Sequence, residues 1–226
     1  MRFSVKYLPT SLFSLKDSNS TNSGAKSLFL PSPYAIKMAI LNQAITIGGD
    51  LEELEKKKSL HFSFVRDAKV SYYIEADSFF AVNNSFIKIL KPARDGGGFG
   101  QTVAFREYLY LSNSIEIIFE INSNEQMQYL KKYLYKINYL GKKGCFFQFV
   151  EYLDNPNEAN VVEFDAKNMS FGIMQEYDDF DENSTFEHAN TFSNINAKRT
   201  KKILVLPLCL TNSSKSFSIY QNNYLS

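Results

Sequence analysis

Residues 114–147 read SIEIIFEINSNEQMQYLKKYLYKINYLGKKGCFF and carry the clearest structural signals in the chain. Apolar and polar residues alternate over the first eight positions, which predicts a half-buried strand. Ser123 and Gln126 then form a capping-box pattern, and apolar residues recur at helical spacing as far as Ile137. An apolar run with strand character begins at Cys145. These residues therefore predict the order strand, helix, strand.

Similar signals occur earlier in the chain. Residues 2–7 alternate between apolar and polar side chains and predict a strand. Ser32 and Pro33 are the residue types preferred at the N-cap and at the first position of a helix. We therefore predict a helix that begins at Pro33 and ends at the glycine pair 48–49. Residues 104–111 predict a further strand that forms a tight hairpin with residues 114–121.

Residues 50–103 interrupt this series as an insertion. Without them the chain has the order strand, helix, strand, strand, helix, strand, which is the split βαβ order of ferredoxin-like (RRM-like) folds. Within the insertion, residues 60–90 are rich in aromatic and β-branched side chains and predict hairpin strands, followed by a glycine-rich loop. We therefore predict an α+β fold: a ferredoxin-like core in residues 1–150, including the insertion, and a β-rich extension in residues 151–226.

The charge of the chain is unevenly distributed. The formal net charge of the 226 residues is only +1, which argues against indiscriminate polyanion binding. Residues 1–150, however, contain 19 Lys and Arg against 13 Asp and Glu, whereas residues 151–226 contain 6 against 11. Positive potential therefore belongs to the first part of the chain.

The loop Gly141-Lys142-Lys143-Gly144 lies between the second predicted helix and the strand that follows it. Glycine permits positive φ and close approach to a ligand, and two lysines with free backbone N–H groups attract an anion such as a phosphate backbone. The alternative is an ordinary helix-to-strand connection with solvated lysines.

Several function classes receive no support. The two cysteines, Cys145 and Cys209, favour a reduced intracellular protein and form no zinc site alone. The acidic cluster at 176–182 lacks EF-hand spacing and predicts a solvated loop, while the basic cluster at 198–202 fits nucleic acid, a partner subunit or gatekeeping charges. No run resembles a signal peptide or approaches the roughly 20 apolar residues of a membrane span. We expect a cytoplasmic protein without membrane contact, metal or cofactor.

Three blocks in a fixed order resemble a known family: Leu30-Pro31-Ser32-Pro33-Tyr34, Ala104-Phe105-Arg106-Glu107-Tyr108-Leu109-Tyr110 and Ile137-Asn138-Tyr139-Leu140-Gly141-Lys142-Lys143-Gly144. Together they resemble the fifth Cas protein family of type I CRISPR systems, over residues 1–150. That family belongs to the repeat-associated RNA-binding superfamily with ferredoxin-like cores, and its members cap the 5′ handle of CRISPR RNA in the Cascade complex. The RNP1 pattern of an ordinary RNA-recognition motif is absent.

The resemblance implies guide-RNA contacts in and near these blocks, at Arg94, Gln101, Arg106, Tyr108, Gly141, Lys142, Lys143 and Gly144. It also implies a β-hairpin thumb after the first helix, in which the candidates for base stacking are Tyr72, Tyr73, Phe79 and Phe80. The alternatives are that these aromatic residues pack a small core within the insertion, that Arg106 pairs with Glu107 or a neighbouring carboxylate, and that Arg94 lies in a solvated loop.

We therefore expect a non-catalytic subunit that binds the 5′ handle of the CRISPR guide RNA and docks against the backbone and large subunits of a Cascade complex, with target DNA reached only indirectly. One branch of the resembled family cleaves precursor CRISPR RNA without metal, using Tyr, His and Lys. His61 and His188 match no such motif, so we predict no catalytic residue. Two alternatives stay open: a metal-independent endoribonuclease, and a ferredoxin-like protein-interaction module without nucleic acid.

Overall fold

The computed structural model describes residues 1–17, 24–92, 96–167 and 171–222. Its strands are β1 (Arg2–Pro9), β2 (Leu15–Lys16), β3 (Gly24–Ala25), β4 (Ser27–Leu28), β5 (Lys69–Ile74), β6 (Phe79–Pro92), β7 (Phe99–Leu111), β8 (Ile115–Glu120), β9 (Phe147–Leu153), β10 (Val162–Glu163), β11 (Ile173–Phe180), β12 (Arg199–Leu206), β13 (Leu208–Ser213) and β14 (Phe217–Asn222). Its helices are α1 (Pro33–Thr46), α2 (Leu51–Leu54), α3 (Leu60–Arg66), α4 (Asn124–Leu134) and α5 (Phe186–Ala189). Mainly antiparallel sheets with a few helices make this an α+β fold, as predicted. Within the described ranges, no helix has both the length and the apolar character needed to cross a membrane.

A four-stranded antiparallel sheet with the order β5-β8-β1-β9 forms the centre of the fold. Glu116 of β8 is only 1% exposed, although the alternation along this strand predicted that its side chain faces solvent. The Glu116 carboxylate accepts hydrogen bonds from the Ser4 hydroxyl at 2.6 Å and from the backbone and side-chain amides of Asn157 at 3.0 and 2.7 Å. The segment that follows β9 therefore covers this part of the sheet.

Both long helices begin as the sequence predicts. Ser32 caps α1 and Ser123 caps α4, each by accepting the backbone N–H three residues on, at 3.1 Å. The phenol of Tyr7 in β1 donates to the carbonyl oxygen of Leu134, the last residue of α4, at 2.6 Å. The two helices and the central sheet share one apolar core.

Residues 60–66 form helix α3, and the strand predicted there is wrong. Ser59 caps the helix by accepting the N–H of Phe62 at 3.0 Å, and Phe62 and Val65 are buried three residues apart. A capped turn with helical apolar spacing thus outweighs the strand preference of the aromatic residues. Strand β5 comes next and pairs with β8, so Tyr72 and Tyr73 lie in the central sheet rather than in a projecting hairpin.

The strand that contains residues 104–111 pairs differently from the prediction. It is part of β7, which pairs with β6 from Phe80↔Leu111 to Pro92↔Phe99. The expected hairpin between 104–111 and 114–121 is wrong, because β8 pairs with β1 and β5 instead. Leu109 and Leu111 face Val82 and Phe80, and all four side chains are buried, which fixes this register. The inserted hairpin therefore runs from β6 to β7, between β5 and β8.

The C-terminal part of the chain is β-rich, as predicted. Strands β10, β12 and β11 form a three-stranded antiparallel sheet, and β13 and β14 extend the hairpin sheet through the pairing of β14 with β6. Tyr177 and Leu206 lie in the same apolar core as Phe3. The division of the chain at residue 150 stays a prediction.

Candidate nucleic-acid interface

The loop between α4 and β9 projects its four central residues into solvent. Its ends are anchored by buried Leu140 and Cys145, and the Leu140 N–H donates to the Cys145 carbonyl at 3.1 Å. Gly141 and Gly144 have φ values of +77° and +99°, which other residues rarely adopt. These two glycines therefore reverse the chain within the loop and present the residues between them.

Lys142 and Lys143, which lie between those glycines, are exposed. Among the described residues, no carboxylate lies within ion-pair distance of either ammonium group, whereas Lys131 and Lys202 are paired with Asp154 and Glu163. Two adjacent unneutralised charges on a projecting loop create local positive potential, which favours contact with a polyanion.

The segment before β2 connects this loop to the base of the β6–β7 hairpin. The Ser11 hydroxyl donates to the Gly144 carbonyl at 3.4 Å, and the Ser14 N–H donates to Cys145 Sγ at 3.5 Å. Between them, Phe13 exchanges two backbone hydrogen bonds with Leu109 of β7, at 3.0 and 2.8 Å. The glycine loop and the hairpin are therefore held in a fixed relation, although they are distant in the sequence.

Arg106 and Tyr108 lie on β7 a few residues from this connection and are half-buried. The alternative pairing of Arg106 with Glu107 does not form, because Glu107 instead accepts the Ser27 N–H at 2.8 Å. In the part of the chain that the structure describes, no carboxylate lies within 4.0 Å of the Arg106 guanidinium, which leaves that charge available to a ligand.

Gln101, a further residue predicted to bind RNA, lies apart from this connection. Gln101 is exposed near the tip of the hairpin, opposite Leu90 and five residues from Arg106 along β7, which is roughly 17 Å in an extended strand. Arg94 lies outside the described residues. The structure thus brings Arg106 and Tyr108 toward the Gly141–Gly144 loop and places Gln101 apart from them.

The four residues predicted to stack on bases are not at a hairpin tip. Tyr72 and Phe80 are fully buried, and the Tyr72 hydroxyl donates to the Pro31 carbonyl at 2.6 Å. Tyr73 and Phe79 are half-buried, in β5 and at the start of β6. Tyr72 and Phe80 therefore fill the main apolar core, and not a separate small core within the insertion.

The exposed aromatic residues of the hairpin are others, and sequence reasoning missed them. Phe86 and Phe105 face each other across β6 and β7 with ring centroids 4.5 Å apart, and they are 70% and 53% exposed. Leu90, Phe99 and Val103 continue the same face of the hairpin, with 65%, 74% and 54% exposure. The signal was large apolar residues at even spacing on both sides of the glycine run. We call the surface formed by these five residues the apolar hairpin face.

The two histidines have different surroundings. His188 Nδ1 accepts the backbone N–H of Thr185 at 2.9 Å and so caps the short helix α5. His61 Nδ1 lies 2.8 Å from Asp50 Oδ2, and the Tyr129 hydroxyl donates to the same oxygen at 2.7 Å. Burial, together with the hydrogen bond to this carboxylate, raises the pKa of Tyr129. His188 is thus structural, while Asp50 orients His61, whose Nε2 has no hydrogen-bond partner within the described ranges.

The acidic and basic clusters of the C-terminal part pair with each other. The acidic cluster lies mainly on β11 and not in the solvated loop that was predicted. Arg199 contacts Asp178 at 3.1 Å and Lys201 contacts Glu176 at 2.8 Å, both across the β11–β12 pair. No group of three or more His, Cys, Asp or Glu side chains in the described ranges is arranged to hold a metal ion.

Comparison with known proteins supports the resemblance seen in the sequence. No family model matches the chain. It is 25% identical over 194 residues to the CRISPR-associated protein Cas5 of Archaeoglobus fulgidus, and the match covers 81% of each chain. The similarity to the fifth Cas protein family is thereby confirmed.

Two solved structures are also similar at the level of the whole chain. A CRISPR protein from Archaeoglobus fulgidus has a TM-score of 0.38 at 13% identity, covering 97% of this chain and 91% of that one. A chain of the type III-B Cmr-beta complex bound to cognate target RNA and AMPPnP has a TM-score of 0.40 at 10% identity, covering 97% and 86%.

Proposed function

We propose that this chain is a non-catalytic CRISPR RNA-binding subunit of a type I Cascade effector complex and caps the 5′ handle of the guide RNA in the cytoplasm. The observation that carries the proposal is the unpaired Lys142-Lys143 loop, which is held against the base of the hairpin that carries Arg106. A guide strand bound at the loop by its phosphates would have the Arg106 guanidinium as a further contact on the hairpin, where it could bind phosphate or stack on a base.

The connectivity of the central sheet supports a ferredoxin-like core. Without the inserted hairpin, the sheet order β5-β8-β1-β9 is second, third, first and fourth strand, and α1 and α4 follow the first and third strands. This is the connectivity of a split βαβ arrangement. We propose that the β6–β7 hairpin is the thumb of that core.

The apolar hairpin face supports the scaffolding part of the proposal. Large exposed apolar patches commonly mark protein or ligand contacts. The five apolar side chains on one face of a projecting hairpin fit contact with a backbone or large subunit, while target DNA is reached only through the guide.

A second candidate function rests on His61. The hydrogen bond that the Asp50 carboxylate accepts from His61 Nδ1 orients the imidazole as in a general base, which is what a metal-independent endoribonuclease would need. A ribonuclease also needs a cation to stabilise the phosphorane, and no described lysine or arginine contacts His61 or Asp50. We therefore favour the non-catalytic function.

One experiment separates the three functions. The purified chain is incubated in EDTA with cognate repeat RNA and with a scrambled RNA of equal length, and bound, free and cleaved RNA are resolved. We expect retention of intact cognate RNA in preference to the scrambled RNA. Cleavage that leaves a fixed 5′ handle would indicate the endoribonuclease, and its loss in a His61→Ala variant would assign it to that site. Absence of RNA binding would indicate the protein-interaction module.

A further inference from the structure

A groove with a volume of about 540 Å³ lies beside the glycine loop and has no part in the function proposed above. One wall is a single face of α1, formed by Tyr34, Met38 and Asn42 at spacings of four residues. Tyr139 and Gly141 line it as well, so the groove adjoins the Lys142-Lys143 loop. The apolar pattern of α1 predicts that Tyr34 and Met38 point into the core, but both are only half-buried.

A fixed guanidinium closes one part of this groove. The Arg199 guanidinium carbon lies 3.9 Å from the centroid of the Tyr34 ring, and the group is held by the ion pair with Asp178, whose side chain is 8% exposed. Phe180 packs on Tyr34 with a ring-centroid distance of 4.9 Å. The Arg199 side chain is 36% exposed and is one of the residues that line the groove. A planar cation held in this way is a stacking surface for an aromatic ligand.

Tyr139 offers a second aromatic surface. Its ring lines the groove and is half-buried, and no ring partner or hydroxyl hydrogen bond of Tyr139 occurs among the described residues. Its backbone is fixed by a bridge to Phe146. Asn42 adds a side-chain amide, which both donates and accepts hydrogen bonds and so matches the edge of a base.

The charges that line the groove balance each other, which favours a neutral group inside it. Lys16 and Arg199 are balanced by Asp17 and Asp178 among the lining residues, whereas the unpaired lysines lie just beyond Gly141. A nucleotide has the same division, with a neutral aromatic base and an anionic phosphate. Bases inside a duplex are stacked on each other, so only an unpaired base can enter such a site.

We propose that this groove binds one splayed base of single-stranded RNA, stacked against Tyr139 and Arg199, with the adjoining phosphate at Lys142 and Lys143. The proposal rests on the proposed function and adds a base-binding site to it. It also gives the C-terminal strand β12 a direct part in RNA binding.

The test uses single-stranded RNA oligonucleotides that cover the cognate repeat and carry 2-aminopurine at one position each. Parent protein is expected to quench the fluorescence at one position through stacking. Tyr139→Ala is expected to remove that quench and to weaken binding about 5- to 100-fold, with the slope of log Kd against log salt unchanged because no phosphate contact is lost. Asn42→Ala provides a second variant on the other wall. Tyr135→Ala removes an exposed tyrosine outside the groove and is expected to retain both quench and affinity.

The outcomes separate the site from the function. If parent protein binds no repeat RNA, the proposed function and the base site are both wrong. If parent protein binds, but no position is quenched and the Tyr139→Ala and Asn42→Ala variants bind as tightly as the Tyr135→Ala variant, the base site alone is overturned.

Discussion

Replacing Lys37 with methionine tests how the C-terminal sheet is attached to the rest of the fold. Lys37 lies on α1 and is 1% exposed. Its ammonium donates to the Arg66 carbonyl at the end of α3 at 2.8 Å and contacts Asp179 of β11 at 2.7 Å. Burial lowers the pKa of Lys37, although the neighbouring Asp179 opposes this shift. One side chain therefore joins three elements.

The expected loss follows from the partners left behind. Removing one member of a buried ion pair typically costs about 3–5 kcal/mol. The Asp179 side chain is 21% exposed, so water partly solvates the carboxylate left unpaired, and we expect about 3 kcal/mol. For a chain of this size, that corresponds to a decrease in Tm of about 6–12 °C.

Urea and thermal unfolding measure this loss. The double variant Lys37→Met/Asp179→Asn removes the unpaired charge and is expected to recover most of the stability, whereas Lys57→Met replaces an exposed lysine and should change it by less than about 0.5 kcal/mol. If Lys37→Met unfolds at the same urea concentration as the Lys57→Met variant, the ion pair does not attach the sheet and the reasoning is wrong.

Three other predictions concern buried and exposed groups. Burial raises the pKa of Tyr7, Tyr72 and Tyr177. The unfolded chain therefore loses these phenol protons near pH 10, while the folded chain keeps them. The free energy of unfolding should fall as the pH rises above about 10. Tyr72→Phe should make this decline shallower by about 1.4 kcal/mol per pH unit in urea unfolding, and an unchanged slope would contradict it. Glu116→Ala leaves three hydrogen-bond donors without their acceptor and should cost about 2–4 kcal/mol in urea unfolding, a prediction that fails if the change is below 0.5 kcal/mol, roughly the size of a surface substitution. Replacing Phe86 and Phe105 with serine should leave the Tm nearly unchanged but reduce recovery of the chain with other effector subunits, and undiminished recovery would argue against the apolar hairpin face as a contact surface.

Structural features that depend only on residues close together in the sequence were predicted well. Ser32 and Ser123 cap their helices because a cap depends on the residue and the backbone three positions on. Gly141 and Gly144 have positive φ, the conformation for which glycine is preferred in a tight loop. The loop could therefore be recognised as a candidate site before the fold was known.

Features that depend on distant partners were not predictable in the same way. The pairing of β7 with β6 rather than with β8 is decided by which apolar residues meet in the core, and adjacent strands in the sequence give no indication of it. Glu116 lies on a buried face because Asn157 reaches it from 41 residues away. Arg199 and Asp178 meet only when β11 and β12 pair, so the base-binding groove has no local sequence pattern.

The proposed function depends most on the Lys142-Lys143 loop, which we propose holds the guide RNA by its phosphates. The most direct measurement is the salt dependence of repeat-RNA binding by Lys142→Ala/Lys143→Ala, compared with Lys57→Ala/Lys58→Ala, which removes two adjacent exposed lysines elsewhere. Each phosphate contact contributes about 0.7 to the slope of log Kd against log salt for a single strand. The loop variant should therefore lose about 1.4 from this slope, while the control variant keeps the slope of the parent. Equal slopes for the parent and the loop variant would contradict the claim.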